Sequence, residues 1–462
     1  MIPMSVAQVA WAANATPSSA VEDGMITGVS TDSRAVKEGE LFVAIKGDRF
    51  DGHDYVEQAI QRGAKACLVT SGFRTAGAAP LLYVHDVVEA LGMIAAHHRR
   101  IGGAKIIGIT GSAGKTTTKA MIAHVLGDQF PIAYAPKSFN NHIGVPLTLL
   151  SSNRDDQFVI VEIGTSRPGE IALLSAMARP DVGVVTSVGA AHLAGFGSIE
   201  AIRREKLSLF DHVVEGGRAY VNARAVDGIA VLPRSAEIGW QTYGDHPEAD
   251  LVVSDIKSDL KRTTALIGGR FELDLPVAGA HNAINACAAF GVCLSCGIAP
   301  QQILQSLKSF AMPPMRLNIN ALERWTIIDD CYNANPLSVS ASLDVLKSET
   351  SRRRVFVAGT MAELGEASAD LHRELGRNAS ASGIEILIAI GEFAKHVAAG
   401  ADVDRKGMQV FQFKSLDDAC AKVPEILQDG DTILVKGSRS AGLERIVGEL
   451  AAAQTPTVAR AT

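Results

Sequence analysis

The residues best suited to gripping a polyphosphate lie in one short stretch, Gly111-Ser112-Ala113-Gly114-Lys115-Thr116-Thr117. An apolar run, 105–109, precedes it. After it, Met121, Ile122, Val125 and Leu126 recur at helical spacing, so strand, glycine loop and helix are predicted in that order. Such a loop aims successive backbone N–H groups and a helix N-terminus at one point, which suits phosphate oxygens. In a P-loop the lysine, here Lys115, reaches the β- and γ-phosphates, and the next hydroxyl, here Thr116, sits on Mg²⁺. One glycine is out of place: the general P-loop has glycine where this chain has Ile109, and Gly108 lies one residue early. A Gly-rich strand-to-helix turn with a surface lysine is the plain alternative.

Two other apolar runs end on reactive residues. The run 158–163, FVIVEI, carries Glu162 near its end. A carboxylate at the end of a buried strand costs free energy unless a cation or donor meets it. Beside a phosphate loop it reads as a Mg²⁺ ligand, like the second-strand acid of P-loop nucleotidases; alone, it reads equally as a salt-bridged core acid. The run 182–188 leads into Gly189-Ala190-Ala191-His192, making His192 a candidate for a second metal, with a structural histidine as the alternative. Asn282 and Asn285, three apart at the start of an Ala-rich helix, share a face and could both reach a planar ring edge. The stretch 137–144 sets Asn140 and Asn141 side by side, for ligand hydrogen bonds or as a simple turn.

These residues need strands that end together. From about 101 to 312, strands and helices alternate. That predicts a mostly parallel sheet with helices on both faces and a ligand outside the carboxyl ends of its strands. Residues 1–102 read as a small α/β unit with strands near 25–30, 40–45, 66–69 and 81–84 and helices near 56–62 and 87–99. Its two basic, glycine-bearing loops, near 31–34 and 46–54, suit an anionic or sugar ligand or are solvated turns. Met312-Pro313-Pro314 reads as a linker. Beyond it, strands near 325–328, 355–358, 386–390, 409–413 and 432–435 alternate with helices as a second doubly wound unit, and the absence of a GxGxxG fingerprint there indicates no second dinucleotide site. The expectation is α/β in three domains: a small α/β domain at 1–102, a P-loop-type ATPase domain with a mostly parallel sheet at 103–312, and a Rossmann-like domain at 313–462.

Bulk properties narrow the classes. With 462 residues, 47% apolar and 20% charged, the chain can bury several cores, and its net charge of −6 argues against a nonspecific nucleic-acid or anionic-membrane binder. Six scattered cysteines form no paired CxxC set; Cys293 and Cys296 fall on the apolar helix and read as packing, in keeping with a reducing compartment. The first residues lack a basic n-region, and no apolar run is long enough to span a bilayer. A cytoplasmic monomer is expected, with no nucleic-acid partner and no membrane segment.

The motifs taken together carry a resemblance. Gly-x-x-Gly-Lys-Thr-Thr, Asn-Asn-x-x-Gly-x-Pro, Val-Glu-Ile-Gly, Ala-His-Leu, Gly-x-His-Asn-x-x-Asn, Asp-Asp-x-Tyr-Asn-Ala-Asn-Pro and His-x-x-x-Gly follow in order over nearly the whole chain. In this the sequence resembles the Mur ligase family, whose shorter Gly-x-x-Gly-Lys-Thr loop accounts for the misplaced glycine. The resemblance implies an ATP-dependent carboxylate–amine ligase. ATP phosphorylates a carboxylate, and an amine attacks the acyl phosphate through a tetrahedral intermediate, releasing ADP and phosphate. The stretches VSTDSR, KGDRFDGHDY, AELG and VKGSRS narrow the implied substrates to UDP-N-acetylmuramoyl-tripeptide and D-Ala-D-Ala, joined in peptidoglycan synthesis.

The resemblance also implies roles residue by residue. Lys115 and the backbone of 111–117 would hold the γ-phosphate. Thr116 and Glu162 would hold one Mg²⁺, and His192 a second. Lys206 aligns with the lysine that relatives carbamylate. Asn282 and Asn285 match adenine contacts, Arg316 and Asp330 match third-domain residues that reach phosphates and ribose, and Tyr332 lies beside them. Ser30, Asp32, Arg34 and Lys46 fall where the UDP-sugar is held, and Asn141 in a substrate-facing turn. Lys436, Ser438 and Arg439 fall toward the D-Ala-D-Ala side. Where the family commonly has Gly-Asp-Met, this chain has Gly359-Thr360-Met361. A site shared between domains implies closure about Pro313-Pro314, with the free protein open. The alternatives are another ligase of this fold adding a different amino acid, a folylpolyglutamate synthase, or a P-loop switch ATPase.

Overall fold

The computed structural model describes residues 1–226, 238–403 and 407–453. Among them, three main sheets divide the chain. The first has five strands in the order Thr16–Pro17, Leu81–Val84, Ala66–Thr70, Glu40–Val43 and Gly28–Ser30, parallel apart from the first pair. The expected strand over 25–30 is split. Met25–Ile26 pairs antiparallel with Met4–Ser5, and only Gly28–Ser30 joins the main sheet.

The central sheet has nine strands. From Gly239–Gly244 through Arg218–Asn222, Val182–Val185, Lys105–Thr110 and Phe158–Glu162 to Ile132–Tyr134, neighbours run parallel. Lys105–Thr110 lies in the middle, and the buried strands beside it are β-branched runs, as parallel strands covered on both faces require. The other flank departs from the mostly parallel expectation: Leu251–Ser258, Thr263–Ile267 and Phe271–Leu275 form an antiparallel meander. Register places Glu162 opposite Ile109 and Val185 opposite Thr110, so three strands end on one edge, with the glycine loop leaving between the outer two.

The third sheet has six strands, ordered Asn318–Ala321, Thr326–Asp330, Thr432–Lys436, Arg354–Ala358, Ile386–Ile390 and Gln409–Phe413, parallel after an antiparallel first pair. Helices cover both of its faces with separate apolar cores, one containing Phe356 and Leu387, the other Ile327 and Val435. The first two units are less separate. A single core runs from Leu41 and Leu68 through helix Val87–Ile101 to Val161, Leu174 and Val185. No helix among the described residues is long and apolar enough to cross a membrane.

The arrangement is closed, not open. Arg316 and Asn335 of the third unit reach the glycine loop, Leu337 packs against Gly189, and Gly365 against Ala194.

Candidate active site

The glycine loop leaves its strand at Gly111 and enters helix Lys115–Gly127 through Gly114, both left-handed at φ +147° and +84°. A Cβ on Gly111 would lie 2.0 Å from the Thr186 hydroxyl, so only glycine fits there. The loop is pinned from the neighbouring strand end. Ser112 N–H donates to the Ser187 carbonyl and Ala113 N–H to the Ser187 hydroxyl (2.9 and 2.8 Å). Those two amides are thus spent inside the protein. The helix's first bond is Thr118 N–H to the Gly114 carbonyl (2.9 Å), which leaves the N–H groups from Gly114 to Thr117 without a helical acceptor. The N–H groups left for an anion are those of the loop's second half, narrower than the whole 111–117 stretch.

Lys115 donates to the Gly111 carbonyl (2.7 Å). Burial lowers its pKa; Glu162 opposes that, and Arg316 adds to it. Thr116 is the meeting point. Its hydroxyl is 2.9 Å from the Ser138 hydroxyl, donates to Glu162 (3.0 Å), and receives an Arg316 N–H (3.2 Å). Glu162 also accepts from the Asn140 amide (2.9 Å) and pairs with Lys119 (3.3 Å), both side chains being at most 2% exposed. Burial alone would push its carboxyl up, but Lys119, Lys115 and Arg316 together hold it below the usual range. The Asn140-Asn141 pair divides here: Asn140, not Asn141, meets Glu162. Asn141 lines the cavity, but its carboxamide oxygen accepts from the N–H groups of Ile143 and Gly144 as a turn cap.

Apart from Lys119, these groups line one cavity of about 630 Å³ between the central and third units. Its other wall is built around Arg316, displayed between Met315 and Leu317, both of which take left-handed backbone at φ +61° and +51°. Non-glycine residues hold that conformation only where surroundings enforce it, and functional sites collect such strain. The guanidinium stacks on the Tyr332 ring (4.1 Å) and its Nε is buried with no acceptor. Asp330 ends strand Thr326–Asp330 and accepts from Lys436 (2.5 Å), from Ser342 (2.7 Å) and from Leu317 N–H (3.3 Å). Lys436, expected toward an amine substrate, is therefore committed to this buried pair and to the Asn333 carbonyl. His281, between the two units, is pushed down to about 4 by burial and Lys436 against the pull of Asp330, and so is neutral at pH 7.

Of the two amides expected on adenine, only Asn285 lines the cavity. Asn282 is wholly buried; it donates to the Ala278 carbonyl and receives the Asn285 amide (2.7 and 3.1 Å), so it orients its neighbour. His192 sits on left-handed backbone, with Nδ1 on Glu363 of the third unit, while Ala194 N–H donates to the Glu363 carbonyl (3.1 Å). Lys206 is buried and does not itself line the cavity, its pKa lowered far by burial and then by Lys115. Thr360 does not line the cavity; its carbonyl accepts Ser438 N–H (2.9 Å). The first-unit residues stand apart. Ser30 turns the chain onto Asp32, Arg34 forks onto Asp32 (2.9 and 2.8 Å) and holds its carboxyl down to about 2, and Lys46 faces Asp51 (3.5 Å). None of these four lines the main cavity.

The donor set fits a nucleotide with Mg²⁺. Thr116 and Glu162 offer oxygen ligands, and Mg²⁺ characteristically takes one or two from protein and the rest from water and phosphate. The orphaned Arg316 Nε and the unused loop amides suit phosphate oxygens. No group of three or more His, Cys, Asp or Glu that could hold a metal occurs among the described residues.

The loop, the acid and a third unit folded over them define the class: the chain belongs to the Mur ligase family. The Mur ligase family catalytic domain matches residues 25–99, the Mur ligase middle domain 109–293, and the Mur ligase glutamate ligase domain 315–439. Within the family, the chain is 34% identical to the UDP-N-acetylmuramoyl-tripeptide–D-alanyl-D-alanine ligase of Bacillus subtilis (strain 168), covering 93% of this chain and 94% of that protein. The ligase of the same name from Escherichia coli (strain K12) is 35% identical at the same coverage. Among solved structures, MurF from Acinetobacter baumannii superposes with a TM-score of 0.87 at 28% identity, covering 97% of this chain and 99% of that one. MurF ligase from Thermotoga maritima in complex with ADP superposes at 0.80 with 27% identity, covering 92% and 97%.

Proposed function

We propose that this chain is an ATP-dependent ligase that joins D-alanyl-D-alanine to UDP-N-acetylmuramoyl-tripeptide, giving the UDP-linked pentapeptide for peptidoglycan synthesis. The observation that carries the mechanism is the junction at Thr116, where the phosphate loop, the Glu162 strand end and Arg316 of the third unit meet within 3.2 Å. Phosphoryl transfer needs little covalent help from protein; it needs positioning and charge neutralisation. Loop amides 114–117 and Lys115 hold the phosphates from one side, and Arg316 from the other. Thr116 and Glu162 would hold one Mg²⁺, which would supply charge neutralisation for the transferring phosphoryl group. His192 would hold a second ion through Nε2, since Nδ1 is taken by Glu363.

Asn285 and His281 border the adenine end, with Asp330 and Tyr332 beside the ribose and phosphates. Transfer of the γ-phosphoryl group to the tripeptide carboxylate gives an acyl phosphate and ADP. The dipeptide amine then attacks, and phosphate leaves from a tetrahedral intermediate. The third unit docked over the loop would shield the acyl phosphate from water. Burial favours the neutral amine of Lys206, the form that adds CO₂, and the resulting carbamate would be a buried anion. Ser30, Asp32, Arg34 and Lys46 hold the UDP end on the first unit, and Asn141 borders the peptide.

The test uses tripeptide labelled with ¹⁸O in its free carboxylate. The acyl-phosphate route sends one ¹⁸O into released phosphate alongside pentapeptide formation; unlabelled phosphate overturns it. Assays with diaminopimelate and lysine tripeptides fix the third residue. A ¹³C-bicarbonate signal that is lost in Lys206→Arg checks the carbamate.

A further inference from the structure

Lys119 has no role in the account so far, yet it is among the most deeply buried charges in the molecule. It lies one helical turn beyond Lys115, with its ammonium 3.3 Å from Glu162 Oε2 and 2.9 Å from the Lys137 carbonyl. The other groups hydrogen-bonded to Glu162 are neutral: Thr116, Ser138 and Asn140. Lys119 is therefore the cation in direct contact with this carboxylate, while Lys115 and Arg316 act on it from further away.

We propose that Lys119 is a stand-in for the divalent ion. It holds the Glu162 carboxylate in place before metal arrives, and its charge makes metal binding depend on nucleotide. This rests on the reading of Glu162 as a metal ligand. An ion arriving alone meets one carboxylate flanked by three fixed cations, Lys115, Lys119 and Arg316, and like charges a few ångströms apart repel strongly in a poorly solvated site. An ion arriving with a triphosphate brings the negative charge that offsets them. The ammonium can then give up Glu162 and keep its bond to the Lys137 carbonyl. Lys119 is thus a positioning residue that couples two ligands, each favouring entry of the other by the same factor.

The test measures Mn²⁺ binding to the full chain by electron paramagnetic resonance, with and without a non-hydrolysable ATP analogue, for wild type, Lys119→Met, Lys119→Gln, Lys119→Arg and Glu162→Gln. Removing the ammonium should tighten binding of Mn²⁺ alone by about tenfold or more. It should also shrink the gain from the analogue, and Lys119→Arg should behave like wild type. Melting gives a second readout. In chelator the neutral variants melt below wild type, and Mn²⁺ alone recovers most of that loss, which damage to packing would not allow. Unchanged or weaker Mn²⁺ affinity in both neutral variants, or a melting loss that Mn²⁺ does not recover, overturns the proposal. Wild-type Mn²⁺ affinity in Glu162→Gln instead identifies the metal-ligand reading as the part that fails.

Discussion

Glu162 and Asp330 invite comparison, because each ends a buried parallel strand, each faces the same cavity, and each is paired with a buried lysine. The pairings differ. Asp330 is held by Lys436 at 2.5 Å, by the Ser342 hydroxyl and by the backbone of Leu317, all from its own unit. Most of its lone pairs are occupied, and one of its partners is the residue after Arg316. Glu162 is 3.3 Å from Lys119 and otherwise meets uncharged donors, one of which, Thr116, is the loop hydroxyl. The same solution to burying an acid thus serves two ends. At Asp330 it fixes the loop that displays Arg316; at Glu162 it leaves a carboxylate that can change partners.

That contrast can be broken by mutation. The largest effect belongs to neither acid but to the lysine of the phosphate loop. Lys115→Ala removes the phosphate lysine and should cut kcat for ADP release by about 10³-fold or more with an unchanged circular dichroism spectrum. Glu162→Gln should lose about 10²-fold to 10³-fold, with a strongly raised Mg²⁺ requirement; ordinary turnover at ordinary Mg²⁺ would contradict its assignment. Asp330→Asn should register first in stability. It leaves the Lys436 ammonium buried without its counter-charge, a defect that costs about 3–5 kcal/mol, read by urea unfolding, and the loosened Arg316 loop should raise the KM for ATP. If Asp330→Asn unfolds like wild type, the two acids are not used differently.

The smallest effect is expected at the exposed contact between His192 and Glu363. Glu363→Gln keeps a hydrogen-bond acceptor and removes a charge, so a loss of roughly fivefold or less is expected, shrinking further in high salt. The pH sign follows from the depressed carboxyl, which is lowered mainly by the His192 hydrogen bond. A group ionised more easily in the docked state favours docking above the ordinary carboxylate range, and that favour is lost as pH falls through the lowered value. Protection of the Ala194 N–H relative to its intrinsic exchange should therefore hold steady at neutral pH and fall in acid below the ordinary carboxylate range.

The comparison also separates what a sequence reveals from what it hides. The glycine loop, Glu162 and the strand ends around them were legible because strand, turn and helix are local patterns, and an acid closing a β-branched run has few explanations. Asp330 was found by motif, but its pairing inside the third unit was not, because Lys436 lies 106 residues away and meets it only across two parallel strands. Lys119 was passed over for a different reason. A lysine in a helix is ordinarily solvated, and nothing local announces that strand 158–162 will bring a carboxylate to it. The Asn140-Asn141 pair shows the limit of residue type as a signal, since the two amides are chemically identical and only the turn decides which one faces Glu162. The meander over 251–275 was missed because three short strands joined by turns leave the same apolar spacing whether they run parallel or antiparallel.

The most direct measurement is ADP release from the wild-type chain with ATP and Mg²⁺, adding UDP-N-acetylmuramoyl-tripeptide and D-Ala-D-Ala separately and together. A ligase site shared between two units predicts sustained release only when both are present, with one pentapeptide formed per ADP. Sustained ADP release that ignores the dipeptide would contradict it.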